Sequence, residues 1–379
     1  MTQSDTATTT ATAGHDDVLN TLLHIEDGSP LAELRAQRPE AMEHAQGSYD
    51  ALFIAPPATP LSPAERFATA LRVVQLHVEP ALVEHYRARL PGAEDGSDEL
   101  VAAVLAGPDA PGLSERPRAI LAHVELLVLR PAAATPADLH KLQAAGLTDA
   151  AIVTLSQIIA YVSFQVRVLV GLALLRGDER PASTLQVGPN DAPDTGFTQE
   201  QLGWVPWLTP VAVADVTDEQ RAVLPGRRLD SPYFRLLALD PAVLGERTAT
   251  DNGIFYTHGG APRADRELSA AATSRVNGCI YCASVHSRLA SQLSKRPDDV
   301  QRLLDEGVGT ELDPRWRAVV DLAAALTVTP PATTRAHLDR LRDLGLADLE
   351  ILDLVQAVSF FAWANRLMLT LGEPAPADA

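Results

Sequence analysis

Cys279 and Cys282 are the only cysteines of the 379-residue chain, and His286 follows four residues after the second. On a helix, which turns about 100° per residue, all three side chains fall on one stripe. Residues of these types at this spacing can do redox chemistry. Two thiols one turn apart can close a disulfide after modest adjustment. The unfilled amide donors and the dipole of a helix start favour thiolate over thiol, which makes a cysteine there nucleophilic at neutral pH. An imidazole one turn beyond Cys282 can take or return its proton. Once a thiolate has attacked a peroxide O–O bond, the resulting sulfenic acid condenses with the second thiol. The same residues have two other readings. They could be small buried hydrophobes on a helix, or three ligands of a zinc ion, although the chain offers no second Cys/His pair at finger-like spacing.

The elements that must hold these side chains read as helices. Arg266–Val276 suits a helix on which Leu268, Ala271, Ala272 and Val276 share a face. Asn277-Gly278 interrupts it, and a second helix is expected to begin there, capped by Asn277 or Gly278, with Cys279 in its first turn.

The string Arg266-Glu267-Leu268 … Asn277-Gly278-Cys279-Ile280-Tyr281-Cys282 … His286, with eleven residues between Glu267 and Cys279, resembles the alkyl hydroperoxidase D and carboxymuconolactone decarboxylase-like family, in its peroxidase-related branch. The resemblance implies an all-helical unit and a thiol-dependent peroxidase. It makes Cys282 the peroxidatic thiol, Cys279 the resolving thiol and proton donor, and His286 with Glu267 the proton relay. It further implies an organic hydroperoxide as substrate, an external dithiol protein or lipoyl-type carrier as reductant, and assembly into a homo-oligomer. No cofactor beyond the redox-active cysteine pair is expected, since no Gly-rich phosphate-binding fingerprint follows a strand. One position departs from the pattern. The founding peroxidases carry a His immediately before the second cysteine, where this chain has Tyr281. A tyrosine can donate a hydrogen bond but is a poor base near neutral pH. Thiol–disulfide exchange without fast peroxide turnover, and a decarboxylase-like activity, are the alternative functions.

The chain also repeats itself. Residues 137–177 and 335–372 each read as a short amphipathic helix ending at a glycine (Gly146, Gly345). An Asp follows (Asp149, Asp348), and then a long apolar helix containing an arginine (Arg167, Arg366). Upstream, Arg38–Phe53 lines up with Asp240–Phe255, and carrying that offset forward sets Glu65 opposite Glu267 and the two cysteines near His77 and Pro80. The reading is therefore all-α, with two tandem helical domains of the resembled type. A tail spans 1–14, a degenerate domain without cysteines 15–178, an irregular connector 179–231, the domain with the thiol pair 232–372, and a second tail 373–379. In the first copy His77, Glu84 and His85 are candidates for a cysteine-free pocket, although a copy kept for packing is the expectation. His258 reads as a loop histidine. The connector's Trp204 and Trp207 are expected to pin it to its own domain.

Composition bounds the partners. A formal charge of −18 argues against nucleic acid or an anionic membrane surface, both of which need a basic footprint. No apolar run looks long enough to span a bilayer. The Thr/Ala-rich start lacks the basic and apolar regions of a signal peptide, and two cysteines are too few for a secreted disulfide scaffold, so a cytoplasmic location is expected.

Overall fold

A computed structural model describes residues 17–54, 61–179 and 192–377. After a short helix α1 (Val18–Leu22), eight helices follow in the first half. They are α2 (Pro30–Arg35), α3 (Pro39–Phe53), α4 (Pro63–Leu76), α5 (Pro80–Arg89), α6 (Asp98–Ala106), α7 (Glu115–Leu129), α8 (Pro136–Ala144) and α9 (Asp149–Arg176). A connector carries strand β1 (Leu202–Pro206) and helix α10 (Asp218–Ala222). The same eight helices then recur. They are α11 (Pro232–Leu237), α12 (Pro241–Phe255), α13 (Arg263–Asn277), α14 (Ile280–Ser294), α15 (Pro297–Glu306), α16 (Pro314–Thr327), α17 (Arg335–Asp343) and α18 (Asp348–Leu371), before a final strand β2 (Gly372–Pro376). The fold is all-α, built from two tandem helical units.

Local sequence chemistry sets the boundaries. Proline opens α3, α4, α5 and α8 in the first unit and α11, α12, α15 and α16 in the second. In a first turn its fixed φ is pre-formed for the helix and its missing N–H costs no bond. Gly146 and Gly345 lie just past α8 and α17 at φ 86° and 87°, the left-handed conformation that ends a helix most cheaply.

The units do not stand apart; they share one continuous core. The long helices α9 and α18 are buried nearly all round, as expected for helices apolar on every face. They pass the length and hydropathy test for a membrane span, contrary to the reading of the sequence, but 94% of each apolar window is buried inside the protein. They run antiparallel and in close contact: a Cβ on Gly171 would lie 2.2 Å from Val355. Helices α3 and α12 form a second antiparallel pair, with Gly253 against the backbone of Ala41. Buried polar links cross between the units. Arg38 donates to both carboxylate oxygens of Asp353 (2.6 and 2.9 Å), and at the related place Thr154 donates to Asp240 (2.6 Å). Arg167 donates to the carbonyl of Thr327 at the end of α16, and Arg366 donates to Val128 near the end of α7 (3.2 Å). Each unit thus covers open carbonyls of a helix end belonging to the other.

Two expectations need correction. The segment from 373 does not begin as a tail: β2 pairs antiparallel with β1, Trp204 opposite Pro374. The connector is accordingly less irregular than its Pro and Gly content suggests. Trp204 Nε1 donates to the Met368 carbonyl (3.2 Å) and the Trp207 amide to Leu371 (2.8 Å), which pins the connector to the end of α18. The sequence 1–14 lies outside the described residues.

Candidate active site

Four elements converge on the thiols. Gly278, at φ 79°, closes α13 in the left-handed conformation and turns the chain so that α14 starts two residues later. Cys279 is the N-cap of α14, a role expected of Asn277 or Gly278, and Cys282 lies in its first turn. Both are nearly buried, at 2% and 5% exposure. His286 follows one turn on and packs edge-on against Phe361 of α18, with ring centroids 4.2 Å apart. Glu267, from α13, is fully buried beneath it.

These side chains form a chain of contacts. Arg263 Nε donates to Glu267 Oε1 (2.6 Å), and Glu267 Oε2 meets His286 Nδ1 at 2.5 Å. With Nδ1 engaged, Nε2 is the imidazole nitrogen free for proton transfer. Burial acts to lower the His286 pKa, but the facing Glu267 carboxylate and its hydrogen bond raise it above the ordinary value. Conversely, burial acts to raise Glu267, and His286 and Arg263 hold it below the usual range. Burial also acts to raise Cys282, but the Cys279 thiol's hydrogen bond, the His286 charge, the Asn365 amide and Arg247 together lower it. Cys279 is pushed well up, first by burial and then by its bond to Cys282 and that neighbour's charge. The surroundings thus favour the thiolate form more at Cys282 than at Cys279. Asn365 is itself fixed, accepting from Asn277 and donating to Ser274, both at 3.0 Å.

A cleft of about 210 Å³ reaches Cys279 and is lined also by Tyr281, Trp204, Trp207 and Met368. Gly278 and Pro374 are among its other lining residues. Tyr281 is half-buried and raised, first by burial and then by the cysteines. It stands at the cleft, while the histidine of the relay is supplied by His286. All four residues singled out in the sequence are brought together. Arg247 of α12 and Asn365 of α18 were not foreseen. Nothing in their local sequence separates them from a surface arginine or a helical asparagine.

The first unit holds no such site. Glu65 is not the counterpart of Glu267: it completes a capping box with Ser62 at the start of α4 and pairs with Arg116 (2.5 Å). The loop before α4 is two residues longer than the loop before α13, so the helices align 200 rather than 202 positions apart. Arg66 and Arg266 confirm this register, donating to the related carbonyls Leu52 (2.8 Å) and Ile254 (3.0 Å). Phe67 then replaces Glu267, Glu79 replaces Cys279, Leu82 replaces Cys282 and Tyr86 replaces His286. The phenylalanine and tyrosine pack on Phe53, each with centroids 5.3 Å away, and fill the space. His77 is wholly buried against Ser163, its pKa driven well down by burial. His85 meets the Tyr49 hydroxyl at 3.0 Å and burial lowers it to about 3. Glu84 and His258 are exposed. The candidate histidine pocket is therefore not assembled. Among the described residues no group of three or more His, Cys, Asp or Glu side chains is arranged to hold a metal ion.

Residues 241–325 match the model of the carboxymuconolactone decarboxylase family, and this stretch is similar to that family. It contains α12 through most of α16, and with them every thiol and relay residue. Among solved structures, the chain is similar to the alkylhydroperoxidase AhpD core of an uncharacterized peroxidase-related protein from Ralstonia eutropha JMP134. Identity is 23%, over 43% of this chain and 88% of that one, with a TM-score of 0.39. No curated protein matches the chain.

Proposed function

We propose that the protein is a thiol-dependent peroxidase that reduces an organic hydroperoxide to its alcohol. The observation that carries this reading is the pairing of two buried free thiols, Cys279 and Cys282, at the start of α14, backed by a His286 that Glu267 fixes through Nδ1 at 2.5 Å. The Cys282 thiolate attacks the distal peroxide oxygen and the O–O bond breaks. The alkoxide leaves with a proton supplied through Cys279 or His286, and Cys282 becomes a sulfenic acid. Cys279, deprotonated in turn, attacks the Cys282 sulfur, hydroxide leaves as water, and a Cys279–Cys282 disulfide remains. An external dithiol returns two electrons and restores both thiols. This cycle suits a reducing compartment such as the cytoplasm, and a homo-oligomer of the two-unit chain is part of the proposal.

The direct test counts thiols on reduced protein before and after one equivalent of cumene hydroperoxide. The expected result is a fall from two thiols to none within seconds. Two thiols persisting for hours would overturn the reading.

A further inference from the structure

Away from the thiols, the two units differ in how they treat one pair of surface cations. In the second unit Asp321 of α16 gives one carboxylate oxygen to Arg317 of its own helix (2.7 Å). Its other oxygen goes to Arg340 of α17 (3.0 Å), so a single carboxylate joins the two helices. Helices α7 and α8 align with α16 and α17 at an offset of 199 positions, which both ends of α8 and α17 share. The related ion pairs Arg116–Glu65 (2.5 Å) and Arg315–Asp265 (2.8 Å) anchor the same register. At that offset Arg118 stands for Arg317 and Lys141 for Arg340, so both cations are kept. Asp321, however, is replaced by Ala122. The carboxylate that bridges the cations in one copy is missing from the other.

The space between these helices is open in the first unit. A groove of about 440 Å³ is lined by Arg118, Arg130 and Lys141, with Ala119, Ala122 and Leu126 as apolar surface. Glu115 and Asp138 also line it, so cations outnumber carboxylates three to two in a chain whose formal charge is −18. Asp138 is already engaged, with Lys141 through one oxygen (2.9 Å) and the Thr135 amide through the other (3.0 Å). Glu115 makes no ion pair with Arg118, which is left with the Leu113 carbonyl (3.1 Å) among the described residues. His123 also lines the groove, at the position where the second unit has Leu322. It is only 4% exposed. Its Nε2 lies 3.3 Å from the Thr370 hydroxyl, and its Nδ1 has no hydrogen-bond partner among the described residues.

We propose that this groove binds a small organic carboxylate, whose charged end lies between Arg118 and Lys141 where Asp321 lies in the second unit. The bound molecule's apolar body rests on Ala119, Ala122 and Leu126. The second unit itself supplies the argument for the ligand class, since there two carboxylate oxygens satisfy the related pair of cations. The site is separate from the thiols and does not rest on the peroxidase reading.

Fluorescence anisotropy of 2-naphthoate and of 2-naphthamide, each titrated with the full chain, tests the groove. Naphthoate should bind at least tenfold more tightly than the uncharged amide. Ala122→Asp, which rebuilds the carboxylate of the second unit, should remove that preference. Arg118→Gln should remove it too, and Lys141→Gln should narrow it several-fold. Arg340→Gln, the change related to Lys141→Gln but made where Asp321 is present, should leave it intact. Ala122 and Arg118 are both exposed, so neither substitution is expected to disturb folding. Equal affinity for naphthoate and naphthamide would overturn the proposal. So would full preference retained in Ala122→Asp and Arg118→Gln, which would place the bound anion elsewhere on the chain.

Discussion

The two units spend the same helices differently. In the second unit, the fifth residue of α13 and the N-cap, third and seventh positions of α14 are Glu267, Cys279, Cys282 and His286, all polar or reactive and held together by burial. The same places in the first unit are Phe67, Glu79, Leu82 and Tyr86. Two of these pack as rings against Phe53. Burying a carboxylate, an imidazole and a thiolate is costly and tolerable only when each finds its partner; a packed aromatic cluster needs none. A duplicated scaffold can therefore concentrate its expensive groups in one copy and let the other act as ordinary core. The cross-unit links show that the quiet copy still bears structural weight.

Experiments that challenge this contrast fall in a clear order. Cys282→Ser should abolish hydroperoxide-driven thiol loss outright, because the first unit has no thiol to substitute; any residual loss would be that of Cys279 and would mean that Cys282 is not the attacking thiol. Arg38→Met should lower unfolding stability by about 3 kcal/mol in chemical denaturation, since it removes both cross-unit hydrogen bonds to the buried Asp353 carboxylate and leaves it only Arg266 (3.2 Å) and the Ala261 amide (2.9 Å). A small effect would mean that the units hold together without that link. Phe67→Ala should cost about 3 kcal/mol, in the range for emptying a buried aromatic site, while leaving the activity of the folded fraction near native.

Glu267→Gln should slow thiol oxidation about 100-fold, the scale of a lost proton relay. It should also move the acid limb of the rate profile to higher pH, because the imidazolium that lowers Cys282 is no longer favoured. The same variant makes a stability prediction. His286 is raised, so its contribution is full below the ordinary histidine value of 6.5 and fades as pH rises through its folded value. Glu267 is lowered, so its contribution is full above 4.5 and fades as pH falls through its folded value. The stability gap between native protein and Glu267→Gln should therefore be widest between pH 4.5 and 6.5. The smallest effect belongs to His44→Ala. Its contact with Glu246 (2.8 Å) joins the units at a site more than a third open to solvent, and a loss of about 0.5 kcal/mol or less is expected.

Much of this was legible beforehand because it is local. The thiol spacing, the glycines that end α8 and α17, and the apolar length of α9 and α18 are all written in contiguous residues. What was missed depends on distance or on counts across loops. The false match of Glu65 with Glu267 came from carrying one offset past a loop whose length differs between the copies. Strands β1 and β2 are Pro- and Gly-containing segments without alternation. Each becomes a strand only by meeting the other some 170 residues away. Arg247 reads as a surface charge until Phe360 and Trp363, more than 100 residues on, are seen to enclose it.

Arg366 is the residue next to Asn365, whose amide bonds the thiols, and its guanidinium is anchored on Val128 of the other unit. The thiol site therefore takes its alignment partly from a helix end in a copy that performs no chemistry. In a genetic screen, suppressors of a weakened site should map not only to the reactive unit but also to the end of α7. Inherited drift in the quiet copy is bounded for the same reason: it serves as the mould in which its twin is set.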